Sequence, residues 1–538
     1  MSASPRSPAA RALSVLAVWI ACAAFFVTSL SATPGGVPPS PDSQHYADVA
    51  RNLLRGNGFV VDIIEYHLGL RDAVRHVPEH HGISRPIALL PVFALFGATS
   101  PLLRVPGLAY HALSGVVGFF LARRLFGATA GCVAALLILT DGLLGFCALN
   151  GSDDMGFAFF CLCTIAALER GLSGGREAWF AVAGMAAGLA ILEKQIGVFL
   201  PVVLLVPLLG ACRAPRAVAL RRAGLALVPF ALCFSLYLMR NELAYSSLAF
   251  RMYPIQLIEH VAGWEGVYRI HPATLGSAET LDSIGRAKVL WFSVRQLAVF
   301  AHEVVGLPLP GARGDFPSSN LMVALGFASL VLLVRVRPWY VLLCMLCTAG
   351  GLLLVCGMWH VQFRYFAFLV PLLAVALAGV VTRGVRGVGD GWQRWLLRVA
   401  ALAAGLAVLA PSAVSLARTA LAAASAPAAA KPVTICADAL AWIRIHTGAG
   451  DRVVSLDPWG VAWEADRPGV MAPAGGVRAI ETVVRHYDAS FLVISSMPGR
   501  AATRRSMLEF AANPPSGLRS ALVFDGLHCD VIELRREP

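Results

Sequence analysis

Charge is what this sequence has least of. Of its 538 residues, 14% are Asp, Glu, Lys or Arg, against 57% hydrophobic. Soluble domains carry about a quarter of their residues charged. So apolar a chain is neither a soluble enzyme nor a solvated, disordered segment. An internal repeat is missing too, which argues against a transporter built from inverted repeats. Metal-binding cysteine pairs are scarce. The only CxxC with metal-site spacing, Cys344 and Cys347, lies inside an apolar run with no second pair, and reads as core packing rather than zinc. Most of the twelve cysteines sit in apolar runs, where Cys behaves as a small hydrophobe. The net charge of +12 does not signal nucleic acid, because the arginines stand mainly in short loops between apolar runs.

What is present in quantity is apolar runs of transmembrane length. They are continuous rather than alternating, so they predict a polytopic bundle of helices, not a barrel. Residues 12–30 read as a retained first span, too long for the core of a signal peptide. Further spans are expected at about 103–121, 130–148, 155–168, 178–192, 195–210, 223–239, 319–334, 338–357, 365–381 and 396–416. These eleven put every strong arginine cluster on one side, which the positive-inside rule makes cytoplasmic. Outer loops then cover 31–102, with surface helices, and 240–318.

Composition changes after about residue 424. "LAAASAPAAAKP" reads as a linker. Residues 425–538 then alternate helical stretches with the β-rich runs "DRVVSL", "FLVISS", "SALVF" and "CDVIEL", which predicts a small α/β domain outside the cytoplasm. Cys436 and Cys529 are its two cysteines; a disulfide and two free thiols both remain open.

Polar residues that need a reason cluster on the outer side. In "PDSQHYADVARNLLRGNGF", Tyr46, Val49, Ala50, Leu53 and Leu54 form one apolar helical face, fit to lie flat on a membrane. Asp42 at its tip serves two readings, N-cap and catalytic carboxylate. Arg85 opens a short Pro-containing apolar helix, either as a phosphate ligand or a snorkelling anchor. His76, Glu79, His80 and His81 read as a solvated loop, with a divalent metal as the lesser alternative. Asp153 and Asp154 stand where the third span turns into the fourth, costly beside lipid unless capping or functional. Glu193 and Lys194, and His360, Arg364 and Tyr365, lie at outer ends of spans, where cations oppose the usual bias and suit an anionic substrate.

In order and spacing these segments resemble the membrane-embedded GT-C glycosyltransferases, in particular the group of protein O-mannosyltransferases, lipid A aminoarabinose transferases and RgtA/B/C/D-like bacterial enzymes. "PDSQHYADVARNLLRGNGF" is similar to the opening motif, "SDDMGFAFFCLCTIAALERG" to the acid that opens the fourth span, and "FRYFAFLVPLLAVALAG" to the late Arg-Tyr…Pro segment. The resemblance implies a multi-pass enzyme of the bacterial inner membrane. Such an enzyme inverts a sugar as it moves from a polyprenyl-phosphate donor to a lipid, glycan or protein acceptor on the outer face. By position, Asp42 would be the general base, and Asp153 or Asp154 the second acid. Tyr46, Arg85, Lys194, His360, Arg364 and Tyr365 would bind substrate, the cations steadying the departing phosphate. The family's Asp-Glu is Asp42-Ser43 here, so a divalent metal stays an open cofactor. The alternative function is a non-enzymatic carrier or flippase of lipid-linked sugars.

Overall fold

The computed structural model describes residues 40–65, 67–68, 70–78, 82–174, 176–209, 215–245, 268–271, 286–303, 317–358, 362–387, 436–495, 500–526 and 529–537. The expected first and eleventh spans, the linker, Glu79, His80, His81 and His360 lie outside these residues.

Helix α1 (Pro41–Leu54) opens the described chain. Ser40 is its N-cap, accepting from the Ser43 amide at 3.1 Å, and Pro41 takes the first helical position. Strands β1 (Ile63–Ile64) and β2 (His67–Leu68) follow, then α2 (Ser84–Phe96). The apolar face of α1 packs on protein rather than standing free for a membrane surface. Tyr46, Ala47 and Ala50 pack on Leu89 and Phe93 of α2 and on Trp463, while Val49 packs on Val61, Ile63 and Trp459. Its polar face is buried as well. His45 pairs with Glu65 at 2.6 Å, and Asp48 binds Arg51 at 2.7 Å and accepts from the Asp62 amide at 2.7 Å. A count of apolar spacing finds one face of such a helix. It is blind to partners that satisfy the other face.

The bundle runs from a 3-10 turn (Ser100–Arg104) into α3 (Val105–Phe126), then α4 (Ala128–Leu139), α5 (Gly142–Leu149), α6 (Asp154–Leu172) and α7 (Ala178–Glu193). A second 3-10 turn (Gln195–Phe199) leads to α8 (Leu200–Leu204), α9 (Val206–Leu209) and the long α10 (Arg216–Tyr245). Strand β3 (Ile270–His271) pairs with β2, and α11 (Arg286–Glu303), α12 (Pro317–Leu333), α13 (Pro338–Met358) and α14 (Leu369–Gly387) complete the bundle. Apolar helices therefore occupy all nine segments expected between the first and last spans. Among the described residues, four segments are long and apolar enough to cross a membrane alone: Ser100–Phe126, Asp154–Leu172, Arg216–Ala244 and Pro338–Val355. The expected third span is instead the pair α4 and α5, bent by 53° where Asp141 caps α5 through the Leu144 amide. The expected sixth span is split among the 3-10 turn, α8 and α9. The core centres on α14, whose residues from Leu369 to Ala378 are all buried, and exposed Leu220, Val228, Leu232 and Leu243 of α10 offer an apolar surface to lipid. This is a mainly helical membrane protein.

Residues 436–537 fold around a six-stranded sheet of order β1-β5-β4-β6-β8-β7. Its elements are α15 (Ala437–His446), β4 (Val453–Ser455), α16 (Pro458–Glu464), β5 (Gly469–Met471), α17 (Val477–His486), β6 (Phe491–Ser495), α18 (Ala501–Ala512), β7 (Leu518–Asp525) and β8 (Cys529–Arg536). Strands β1, β5, β4 and β6 run parallel, and β8 pairs antiparallel with both β6 and β7. Side-chain alternation sends Val454 and Leu492 to one face, under α17 and α18, and Val453 and Val493 to the other, under α15 and α16. Cys436 and Cys529 form a disulfide with Cα atoms 5.5 Å apart. One edge strand was not expected: β1 comes from the loop after the first span, and Ile63 pairs with Gly469.

Candidate active site

The site lies where α1, the start of α6, the end of α7 and a 3-10 turn at Phe363–Phe366 meet. Because Ser40 caps α1, the Asp42 carboxylate is not used as a cap. It reaches across to Arg364, whose Nη1 donates to Oδ2 at 3.1 Å. Sequence alone could not separate capping from catalysis for Asp42; Ser40, two residues earlier, removes the competition.

Asp153 and Asp154 begin α6, and neither makes a capping bond to its amides. Both bind Lys194, which leaves α7 in extended conformation. Its Nζ is 3.0 Å from Asp153, and nearer still to Asp154. Ser152 Oγ donates to Asp154 Oδ2 at 3.0 Å, and Arg364 stands 3.8 Å from the same oxygen. Asp154 is thus the hinge between the two ion pairs. The ring of Tyr365 lies under both cations, 4.8 Å from Lys194 Nζ and 5.3 Å from the Arg364 guanidinium carbon. Gln362 Oε1 accepts from Arg364 Nε at 2.8 Å. Burial works against the charge on Arg364. Tyr365, Asp42, Asp154 and Asp153 outweigh it, and its pKa lies well above the ordinary guanidinium value. Lys194 follows the same pattern, its pKa raised by Asp153 and Asp154 in spite of burial. Burial, then the charges of Asp153 and Asp42, push the Tyr46 phenol well up, so it is a neutral donor next to Asp153.

The result is two cations and three carboxylates. Two of those carboxylates are largely shielded, and Asp42 is the more open one, its side chain 31% exposed. Among the described residues no three His, Cys, Asp or Glu side chains gather as a metal site. The three acids of this site are already matched by Lys194 and Arg364, a donor set that does not fit a dedicated divalent ion.

Arg85 is not in the cluster. It is fully buried, donates to the Gly151 carbonyl at 3.0 Å, and shares its pocket with Glu193, Ser84 and Tyr110. Through its bond to Gly151 it holds the loop that carries Ser152 and Asp153, apart from the cations of the cluster. His76 binds its own neighbour, Nδ1 to the Val74 carbonyl at 2.7 Å. Ser152 and Gln362 were missed from sequence. Each is a single neutral residue that borders a charged one, a signal too common to single out.

Residues 86–239, under a third of the chain, match the family model of dolichyl-phosphate-mannose-protein mannosyltransferase. Among solved structures, ArnT from Cupriavidus metallidurans bound to undecaprenyl phosphate superposes over 98% of both chains with a TM-score of 0.59 at 16% identity. The archaeal oligosaccharyltransferase AglB from Archaeoglobus fulgidus, in complex with an inhibitory peptide and a dolichol-phosphate, aligns over 89% of this chain and 69% of its own. Its TM-score is 0.58 at 15% identity. No curated protein matches the chain by sequence. At such identities the structural likeness is one of fold: the chain shares the fold of these GT-C membrane glycosyltransferases, and residues 86–239 resemble the mannosyltransferase family.

Proposed function

We propose that the protein is an inverting glycosyltransferase that moves a sugar from a polyprenyl-phosphate donor to an envelope lipid, glycan or protein on the outer face of the bacterial inner membrane. The observation that carries this is the pairing of the open Asp42 carboxylate with Arg364, beside a second, buried cation at Lys194. Asp42 takes the acceptor hydroxyl proton as the acceptor oxygen bonds to the sugar's anomeric carbon. The bond from that carbon to the phosphate oxygen breaks, and the phosphate leaves on its lipid. Arg364 and Lys194 offset the charge that develops there. The polyprenyl phosphates in the solved ArnT and AglB structures suit a donor of this class. The arginine clusters on the far side of the bundle support an outward-facing site.

The test uses purified protein, a polyprenyl-phosphate sugar and an envelope extract as acceptor. Wild type is expected to release free polyprenyl phosphate, and Asp42→Asn to be slower by about 10²–10⁴-fold, the range of a general base, while keeping its melting temperature. A fully active Asp42→Asn overturns the base assignment. Movement of intact donor across vesicles with no release points instead to a carrier.

A further inference from the structure

At the opposite end of α6 from Asp154, the bundle carries a groove of about 640 Å³ between α3, α6 and α7. Asp154 and Arg170 are sixteen residues apart on one helix, about 24 Å along its axis at 1.5 Å per residue, so the groove opens at the other membrane boundary. Its walls are apolar, with Phe120 and Val182 exposed and Ala166 leaving open space. Its mouth is basic: Arg123, Arg124 and Arg170 all line it. Glu169 holds Arg124 at 3.2 Å. Among the described residues no carboxylate pairs with Arg123 or Arg170. They are held instead by rings, Arg170 over Trp179 at 4.6 Å and Arg123 over Phe119 at 5.8 Å. Stacking fixes a guanidinium while leaving its N–H groups to meet an anion in the ring plane. An apolar slot at membrane depth, with two oriented guanidiniums at its end that no described carboxylate pairs, matches an acyl chain joined to a phosphate.

We propose that this groove is a second lipid site, which holds one acidic phospholipid of the cytoplasmic leaflet, distinct from the donor site. The acyl chain lies along Phe120, Ala166 and Val182, and the headgroup phosphate bridges Arg123 and Arg170. An orientation signal alone would need the arginines but not the groove.

Native mass spectrometry of the full chain tests this with phosphatidylglycerol and phosphatidylcholine of identical acyl chains. Wild type is expected to retain phosphatidylglycerol selectively. Arg123→Gln/Arg170→Gln should weaken it about 30-fold, from roughly 1 kcal/mol per arginine. Ala166→Trp, which fills the slot with the arginines intact, should lose it as well. Undecaprenyl phosphate binding should be unchanged in all variants, and a wild-type melting temperature reports separately that they are folded. Equal retention of the two phospholipids by wild type, or full retention by the double variant, overturns the proposal. A parallel loss of undecaprenyl phosphate in the variants overturns the claim of a separate site.

Discussion

Replacing Lys194 by Met tests how the two halves of the candidate cluster are joined. The change keeps the length and the apolar stem but removes a charge held 3.0 Å from Asp153 and closer to Asp154. Two adjacent carboxylates are left behind, and the Asp154 side chain is only 1% exposed. Removing one partner from a buried pair costs about 3–5 kcal/mol. The slight exposure of Lys194 and Asp153 admits some water, so the lower end, about 3 kcal/mol, is expected. The assay is thermal unfolding in detergent, followed by tryptophan fluorescence. Lys194→Met should melt several degrees below wild type, and Lys194→Met/Asp154→Asn should recover about half of the deficit by removing the more buried charge. Transfer should fall too. Asp154, freed from Lys194, competes with Asp42 for Arg364, now 3.8 Å away. If the single variant melts with wild type, or the double variant is no more stable than the single one, the ion-pair account is refuted.

Three further outcomes follow from the same geometry. Cys529→Ser opens a covalent loop with a sequence separation of 93, and the chain-entropy relation gives a loss of about 4–5 kcal/mol, readable as a lower urea midpoint for the 436–537 unit. Gly156→Ala would put a methyl 2.6 Å from Glu193 Cδ. The carboxylate, buried among Arg85, Ser84 and Tyr110, has little room to retreat, so a cost of about 1–3 kcal/mol and a drop in transfer are expected from melting and release assays. Trp463→Ala removes a ring stacked on Phe93 at 5.7 Å and covered by Arg51 at 5.1 Å. A loss of about 3–5 kcal/mol at the seam of α1 and α16 should lower turnover without touching a charged site residue.

Apolar run length located nine helical segments because burial in lipid makes hydropathy a local property. The break at Asp141 escaped it, since one acid in a run still passes for a polar core residue. Among strands, "FLVISS" and "CDVIEL" were legible as β-rich runs of five or more residues. Ile63–Ile64 and Gly469–Met471 were not, because two or three residues hold no period. The site was legible where charge stood against composition, as at Asp42, Asp153, Lys194 and Arg364. Arg85 drew notice for the same reason and lies outside the cluster: a charge near the boundary looks alike in sequence whether it faces a ligand or a carbonyl. Which of the two holds depends on Gly151, far away in the chain.

Strand β1 also sets a clock. Ile63 and its partner Gly469 are about 400 residues apart, so at roughly 5–20 residues per second the ribosome needs about 20–80 s to make the second after the first. For that interval the segment behind α1 waits without its sheet, and Trp459 and Trp463 do not yet cover the helix. A chain cut short after Arg364 but before Trp459 would already possess Asp42, Lys194 and Arg364, yet lack the two tryptophans that cover α1. The last fifth of the chain to be translated is thus what completes the packing around α1 and the sheet edge at β1.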